Sequence, residues 1–166
     1  MVEIVKWRLA TILVFCLLAN GKGSQEVMTK MSATFFKLLE ECKKEASVTD
    51  DLIQGLVKFW NEDSELGARE LGCVIICMAT KHDLVDADEF RMHHENAYNF
   101  AKDHGADDEM AKSVVKSIHG CEEQFVGNPD HCARVMDVTR CFRGEMHRLK
   151  WAPPVEVLMG EMLAEV

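Results

Sequence analysis

The residues in this sequence with the most specific chemistry are its cysteines. There are seven, and Cys16 lies in an N-terminal segment that we expect to be removed. The remaining six are Cys42, Cys73, Cys77, Cys121, Cys132 and Cys141. An even number of cysteines in an exported chain predicts three disulfides, although counting alone does not choose their pairing. Zinc sites usually repeat closely spaced cysteine pairs, and only Cys73 and Cys77 are close together here, so we expect no metal and no cofactor.

Histidines form a second group of residues with recognisable chemistry. His93 and His94 are adjacent, and His119 lies shortly before a cysteine. Imidazoles titrate near mildly acidic pH, so charging neighbouring histidines would loosen the segment that they hold. Asp86 and Arg134 are candidates for an ion pair at the mouth of a site, although exposed pairs are usually weak and the sequence alone does not place these two together.

The C-terminal segment 153–166 combines an apolar stripe with acidic residues and contains no Lys or Arg. The stripe consists of Val155, Leu158, Met159, Met162 and Val166, and the acidic residues are Glu156, Glu161 and Glu165. Protonation would leave a mostly apolar helix able to enter an apolar site, so the segment is a candidate acid-driven plug. The alternative is a frayed tail or one docked on the surface.

Residues capable of covalent catalysis are not arranged for it. The sequence contains no HExxH, GxSxG, Walker or GxGxxG motif. Asp130, His131 and Cys132 are contiguous, which does not bring their side chains onto one helix face, and Cys132 is expected to be oxidised. We therefore expect that the protein is not an enzyme, with an unrecognised hydrolase as the formal alternative.

The N-terminal residues 1–23 resemble a secretory signal peptide. Lys6 and Arg8 precede an apolar run, Leu9 to Ala19, of eleven residues, whereas a membrane span needs roughly 20. Residues 24–166 then form one domain. The whole chain has a net charge of −9, and removing residues 1–23, which carry a net +2, leaves −11. This acidic balance excludes nucleic acid as a partner and disfavours anionic membranes.

The elements that must position these residues are helices, because apolar residues recur at three- and four-residue spacings and no proline precedes Pro129. The apolar run 71–79 is compatible with either a buried strand or a buried helix. Cys73 and Cys77 are four residues apart, which would put both on one face of a helix, so we predict a central helix here. We predict an all-α bundle of five or six helices, at 26–45, 49–60, around 71–79, 96–103, 107–118 and 128–149.

The inner faces of these helices carry many aromatic residues and methionines, together with two isoleucines. Such stripes usually fill a core. Three disulfides, however, would let the helices enclose a cavity that packing alone would tend to collapse. The residues are Met28, Met31, Phe35, Phe59, Trp60, Ile75, Phe100, Ile118, Phe142 and Met146.

The cysteine spacing Cys42-x30-Cys73-x3-Cys77-x43-Cys121-x10-Cys132-x8-Cys141 resembles that of the insect odorant-binding proteins. Further segments resemble the moth pheromone-binding proteins of that family, over essentially the whole chain after residue 23. These segments are SQEVM, ECKKE, KFW, the HH pair, NFAKDHGAD, HGCE, LKWAPPVEV and GEMLAEV.

This resemblance implies a bundle of about six helices around a flask-shaped apolar pocket. It implies disulfides Cys42 to Cys77, Cys73 to Cys132 and Cys121 to Cys141, and it places Phe35, Phe59, Trp60, Ile75, Phe100, Ile118 and Phe142 at pocket-lining positions. The expected ligands are long-chain unsaturated alcohols, aldehydes or acetates. The protein would be secreted into antennal sensillum lymph, as a monomer or weak homodimer, and would carry pheromone to a membrane-bound odorant receptor. At acidic pH the tail would form a helix that displaces the ligand.

One position departs from the family pattern. Ala79 stands where some relatives carry a hydroxyl residue facing the polar head of the ligand. Ser32 and Thr80 are the nearest hydroxyl candidates, and Glu122 or Arg134 could serve if the pocket reaches them. A general odorant carrier and a secreted helical signalling protein are the alternative functions.

Overall fold

The computed structural model describes residues 23–64, 67–86 and 88–164. Most of the predicted signal peptide, Glu165 and Val166 lie outside these residues. Within them the chain forms eight α-helices, more than the five or six predicted. They are α1 (23–36), α2 (Leu39–Glu45), α3 (Asp50–Val57), α4 (Arg69–Lys81), α5 (His94–Asp103), α6 (Asp108–Phe125), α7 (His131–Arg148) and α8 (Val155–Ala164).

Capping residues set several helix ends close to where the sequence predicts them. Helix α6 begins after Asp107, whose carboxylate accepts a hydrogen bond from the Met110 N–H at 2.8 Å. Helix α7 begins after Asp130, which accepts from the Ala133 N–H at 3.1 Å. Each carboxylate satisfies a backbone donor that has no partner within its own helix. Gly105, at a φ of 98°, follows α5 in the left-handed conformation that glycine tolerates best.

The helix predicted over 26–45 is interrupted, because a turn at residues 37 and 38 separates α1 from α2. In this turn the Lys37 N–H donates to the carbonyl of Thr34 at 3.2 Å, three residues back rather than four. The apolar period continues through the break, so the sequence alone gave no sign of it. The turn redirects α2 so that Cys42 meets Cys77 on α4, and this tertiary placement overrides the continuous helical pattern.

The helix predicted over 49–60 ends at Val57, and Phe59 and Trp60 lie in the turn that follows. Their carbonyls accept hydrogen bonds from α7: Arg143 donates to Phe59 at 3.2 Å, and a ring nitrogen of His147 lies 3.0 Å from the Trp60 oxygen. These two carbonyls lie outside any helix, and side chains of α7 provide their hydrogen-bond donors.

Helix α4 is the centre of the bundle and packs against α2, α3 and α7, while α6 packs against α5 and α7. The disulfides join Cys42 to Cys77, Cys73 to Cys132 and Cys121 to Cys141, which is the pairing that the resemblance implied. Helices α4 and α7 meet at a glycine. A Cβ on Gly72 would lie 1.9 Å from the Cys132 carbonyl oxygen, so no larger residue fits this contact. None of the described helices is both long and apolar enough to cross a membrane.

Candidate functional site

An apolar cavity of about 230 Å³ lies inside the bundle. A single water needs only about 10–15 Å³ of such space, so the cavity has room for a much larger molecule. Helices α1, α3, α4, α5, α6 and α7 contribute to its wall, together with the loop between α4 and α5. The lining residues that the sequence predicts are Met28, Met31, Phe35, Phe59, Trp60, Ile75, Ala79, Phe100, Ile118 and Phe142.

Met146 is the exception among the predicted lining residues. It is fully buried but does not line the cavity. It lies one helical turn beyond Phe142, beside the chain reversal in which the Trp151 and Ala152 N–H groups donate to its carbonyl. Helical spacing places a residue on the inner face of a helix, but it does not tell the wall of a cavity from the solid core beside it.

The loop between α4 and α5 forms a part of the wall that the sequence analysis missed. It contributes Leu84, Val85, Phe90, Arg91 and Met92. An isolated antiparallel β-bridge pairs Val85 with Met92 and so holds the two ends of this part of the loop together. This stretch has no helical period, and that is why pattern analysis did not find it. A better signal was available on α7, where Val135 and Val138 precede Phe142 at helical spacing and also line the cavity.

The aromatic wall of the cavity ends in a buried hydrogen bond. The Trp60 ring packs edge-on against Phe59 at 4.7 Å and Phe142 at 6.3 Å between ring centres. Its indole N–H donates to the Ser32 hydroxyl at 2.9 Å. Ser32 is 7% exposed and lines the cavity, whereas Thr80, the other hydroxyl candidate, is exposed at the surface.

Asp86 and Arg134 hold the same turn but do not form an ion pair with each other within the described part of the chain. The Asp86 carboxylate accepts hydrogen bonds from the backbone N–H groups of Glu89 at 3.0 Å and Asp88 at 2.8 Å. Arg134 donates to the Glu89 carbonyl at 2.7 Å. The hydrogen bonds from Glu89 and Asp88 lower the pKa of Asp86 below its ordinary value of 3.8, so mildly acidic pH leaves this carboxylate charged.

The three histidines of the predicted switch occupy two different positions. The ring of His93 caps α5 by accepting from the Asn96 N–H at 3.4 Å. The rings of His94 and His119 meet edge to face, with 4.8 Å between their centres. Glu122, one turn after His119 on α6, lines the cavity, and one of its carboxylate oxygens accepts from the Met92 N–H at 2.7 Å.

Residues 153–161 of the tail contribute no side chain to the cavity wall. Helix α8 buries Leu158 in the core, exposes Glu156 and leaves Val157 51% exposed. The side chain of Gln25 donates to the Ala152 carbonyl at 3.1 Å and so ties the start of α1 to the segment before α8. This arrangement matches the alternative of a surface-docked tail, already helical. Glu165 is outside the described residues.

Comparison with known proteins identifies the family. Residues 24–145 match the PBP/GOBP family. The chain belongs to the PBP/GOBP family. It is 41% identical over 143 residues to Pheromone-binding protein 2 of Epiphyas postvittana, with 86% of each chain covered. It is 33% identical over 159 residues to General odorant-binding protein 1 of Bombyx mori, with 96% of each chain covered.

Solved structures agree with this membership. The crystal structure of Epiphyas postvittana Pheromone Binding Protein 3 superposes with a TM-score of 0.63 at 40% identity, covering 68% of this chain and 96% of that one. The all-α fold and the predicted family are therefore confirmed. The PBP/GOBP family is one of binding proteins, so the expectation that the chain is not an enzyme also holds.

Proposed function

We propose that this chain is an extracellular carrier for a small apolar pheromone, of the class of long-chain unsaturated alcohols, aldehydes and acetates. It carries this ligand through sensillum lymph to a membrane-bound odorant receptor. The observation that supports this proposal most directly is an apolar cavity between stapled helices with a buried hydrogen-bonded pair, Ser32 and Trp60, at its wall. Ligand sites of this kind combine an apolar lining with a few placed polar groups.

The polar pair supplies the contact for the head group of the ligand. Ala79 is 8% exposed at the cavity wall and offers no hydroxyl. The Ser32 hydroxyl accepts from Trp60, and a hydroxyl also carries a proton that it can donate to the oxygen of an alcohol, aldehyde or acetate. The aromatic rings around it then pack against the hydrocarbon chain. Ser32 therefore supplies the hydroxyl that Ala79 lacks.

Release in mild acid is the finer part of the proposal, and it rests on the tail. Glu156 on α8 is exposed. Lys30 on α1 has a raised pKa, chiefly because of its hydrogen bond to Glu26 and in smaller part because of the charge on Glu161. This attraction between α8 and α1 depends on the negative charge of the carboxylates. A carboxyl that moves into an apolar cavity is then held in its neutral form, so low pH favours α8 as a competitor for the ligand site. The role of the histidines stays a prediction.

The test is displacement of an apolar fluorescent probe from the refolded chain 24–166 by long-chain alcohols, aldehydes and acetates, at pH about 7 and about 5. We expect strong displacement at the higher pH and weak displacement at the lower. Absence of aliphatic binding at both pH values would contradict the carrier function and favour a signalling protein. Tighter binding of short cyclic odorants than of any long-chain compound would favour a general odorant carrier.

Removal of Pro154–Val166 tests the release step separately. We expect the truncated protein to bind ligand at pH about 7 and to keep it bound at pH about 5. Because this truncation also removes the buried Leu158, the doubly substituted Glu156→Gln, Glu161→Gln protein serves as a matched variant that keeps the packing of α8. It should release ligand at a higher pH than the unmodified protein. Unchanged release in both variants would exclude the tail as the plug.

A further inference from the structure

We propose that His94, His119 and Glu122 form a binding site for a divalent transition-metal ion of the zinc type. One potential ligand atom of each residue lies within 4.8 Å of the other two. His119 and Glu122 are three residues apart on α6 and so share one face of that helix. His94 is the first residue of α5. The site therefore joins two helices that the disulfides do not connect.

Two of the three residues have a buried polar atom without a hydrogen-bond partner among the described residues. These atoms are Nδ1 of His119 and one carboxylate oxygen of Glu122, Oε2. Buried polar atoms are nearly always paired, so two unpaired atoms in one cluster need an explanation. A cation held between them would satisfy both. His94 is exposed, and this side gives an ion its way in.

The other atoms of the same side chains are already oriented. The Nε2 atom of His119 lies 3.4 Å from a carboxylate oxygen of Glu123. The Oε1 atom of Glu122 accepts from the Met92 N–H at 2.7 Å. Metal-binding histidines usually direct their second nitrogen to a carboxylate or carbonyl, and metal-binding carboxylates are hydrogen-bonded in the same way. The cluster thus has both the ligands of a metal site and the groups that orient them.

The donor set indicates which ion would bind. Two imidazoles and one carboxylate suit zinc, with ligand distances of about 2.0–2.2 Å, and three protein ligands leave a fourth position for water. Binding would require the exposed His94 side chain to rotate toward His119 and Glu122. The spacing of the cysteines gave no indication of this site, because the fold brings His94 next to His119, 25 residues further along the chain. Because Glu122 lines the cavity, the bound ion would sit at its wall.

The first experiment titrates the refolded chain 24–166 with Zn²⁺ alone, by isothermal calorimetry at one neutral pH. We expect saturable binding of one ion. His119→Gln and Glu122→Gln should each abolish it, and Glu123→Gln should weaken it by about tenfold or more, as for other residues that orient metal ligands. Glu95→Gln removes an exposed carboxylate next to His94 and should leave binding unchanged. Equal Zn²⁺ binding by all four variants would overturn the proposal.

A second measurement needs no variant and so does not depend on variant folding. Zn²⁺ is added to the unmodified protein while the ring resonances of its histidines are followed by NMR. We expect the signals of His94 and His119 to shift and those of His82 and His131 to stay in place. No saturable binding, or shifts confined to other histidines, would show that the cluster holds no metal.

Discussion

Replacing Gly72 by alanine perturbs the contact on which the bundle depends most. The new Cβ would lie 1.9 Å from the Cys132 carbonyl oxygen, 2.8 Å from the Cys132 carbonyl carbon and 2.9 Å from Cγ of Met136. The first two are backbone atoms, next to the disulfide that ties Cys132 to Cys73. They cannot rotate away as the end of a flexible side chain can. Helices α4 and α7 must therefore move apart.

The size of the effect follows from this geometry. Real Cβ atoms hardly ever approach a neighbour within 3.0 Å, so the helices must separate locally by about 1 Å. Overpacking of this kind typically costs about 1–3 kcal/mol, and the higher helix propensity of alanine returns about 1 kcal/mol at most. Because the clash is with backbone, we take the upper part of the range and expect the free energy of unfolding to fall by about 2 kcal/mol.

The assay is denaturant unfolding under non-reducing conditions, so that the disulfides stay intact in both states. Gly144→Ala is the matched control, because this glycine is also helical and a Cβ there has no atom within 4 Å. The control should gain about 0.5–1 kcal/mol, so the two substitutions are expected to have opposite signs. A Gly72→Ala protein as stable as the original, beside a stabilised control, would refute the close approach of α4 and α7.

Two further predictions concern the cavity and its mouth. Ser32→Ala should weaken binding of a long-chain alcohol by about 1 kcal/mol, the usual worth of a hydrogen bond, and leave binding of the corresponding alkane unchanged in probe displacement; equal losses for both would assign Ser32 to packing alone. Asp86→Asn should lower thermal stability equally at pH 7 and pH 5, because a carboxylate whose folded pKa lies below 3.8 stabilises the fold above that pH and loses this contribution only as the pH falls further. An effect of Asp86→Asn that disappears between pH 7 and pH 5 would contradict the turn-capping role.

The helical bundle and most of its inner faces were predictable, because they depend on local spacing. Met28, Met31 and Phe35 repeat at intervals that a helix brings to one side, and they do line the cavity. The disulfide pairing was different in kind. Spacing left it open, and the resemblance to a family supplied it.

What the sequence did not reveal depends on tertiary placement. The turn at Lys37 interrupts a stripe that continues through it, and the loop residue Phe90 has no periodic neighbours, yet it lies at the cavity wall. Met146 fits the inner stripe and is still core rather than wall. The cluster at His94 and His119 joins separate helices, so only the fold brings it together.

The positions of the disulfides divide the cavity wall into two unequal parts. Between Cys77 and Cys121 the chain runs for 43 residues without a cysteine, and this stretch contains the loop after α4 and all of α5. Leu84, Phe90 and Phe100 on it line the cavity. Local unfolding of such a stretch breaks no covalent bond and leaves the rest of the bundle cross-linked. If ligand exchange uses this opening, it would share one event with amide hydrogen exchange in the stretch, and both would proceed with every disulfide intact.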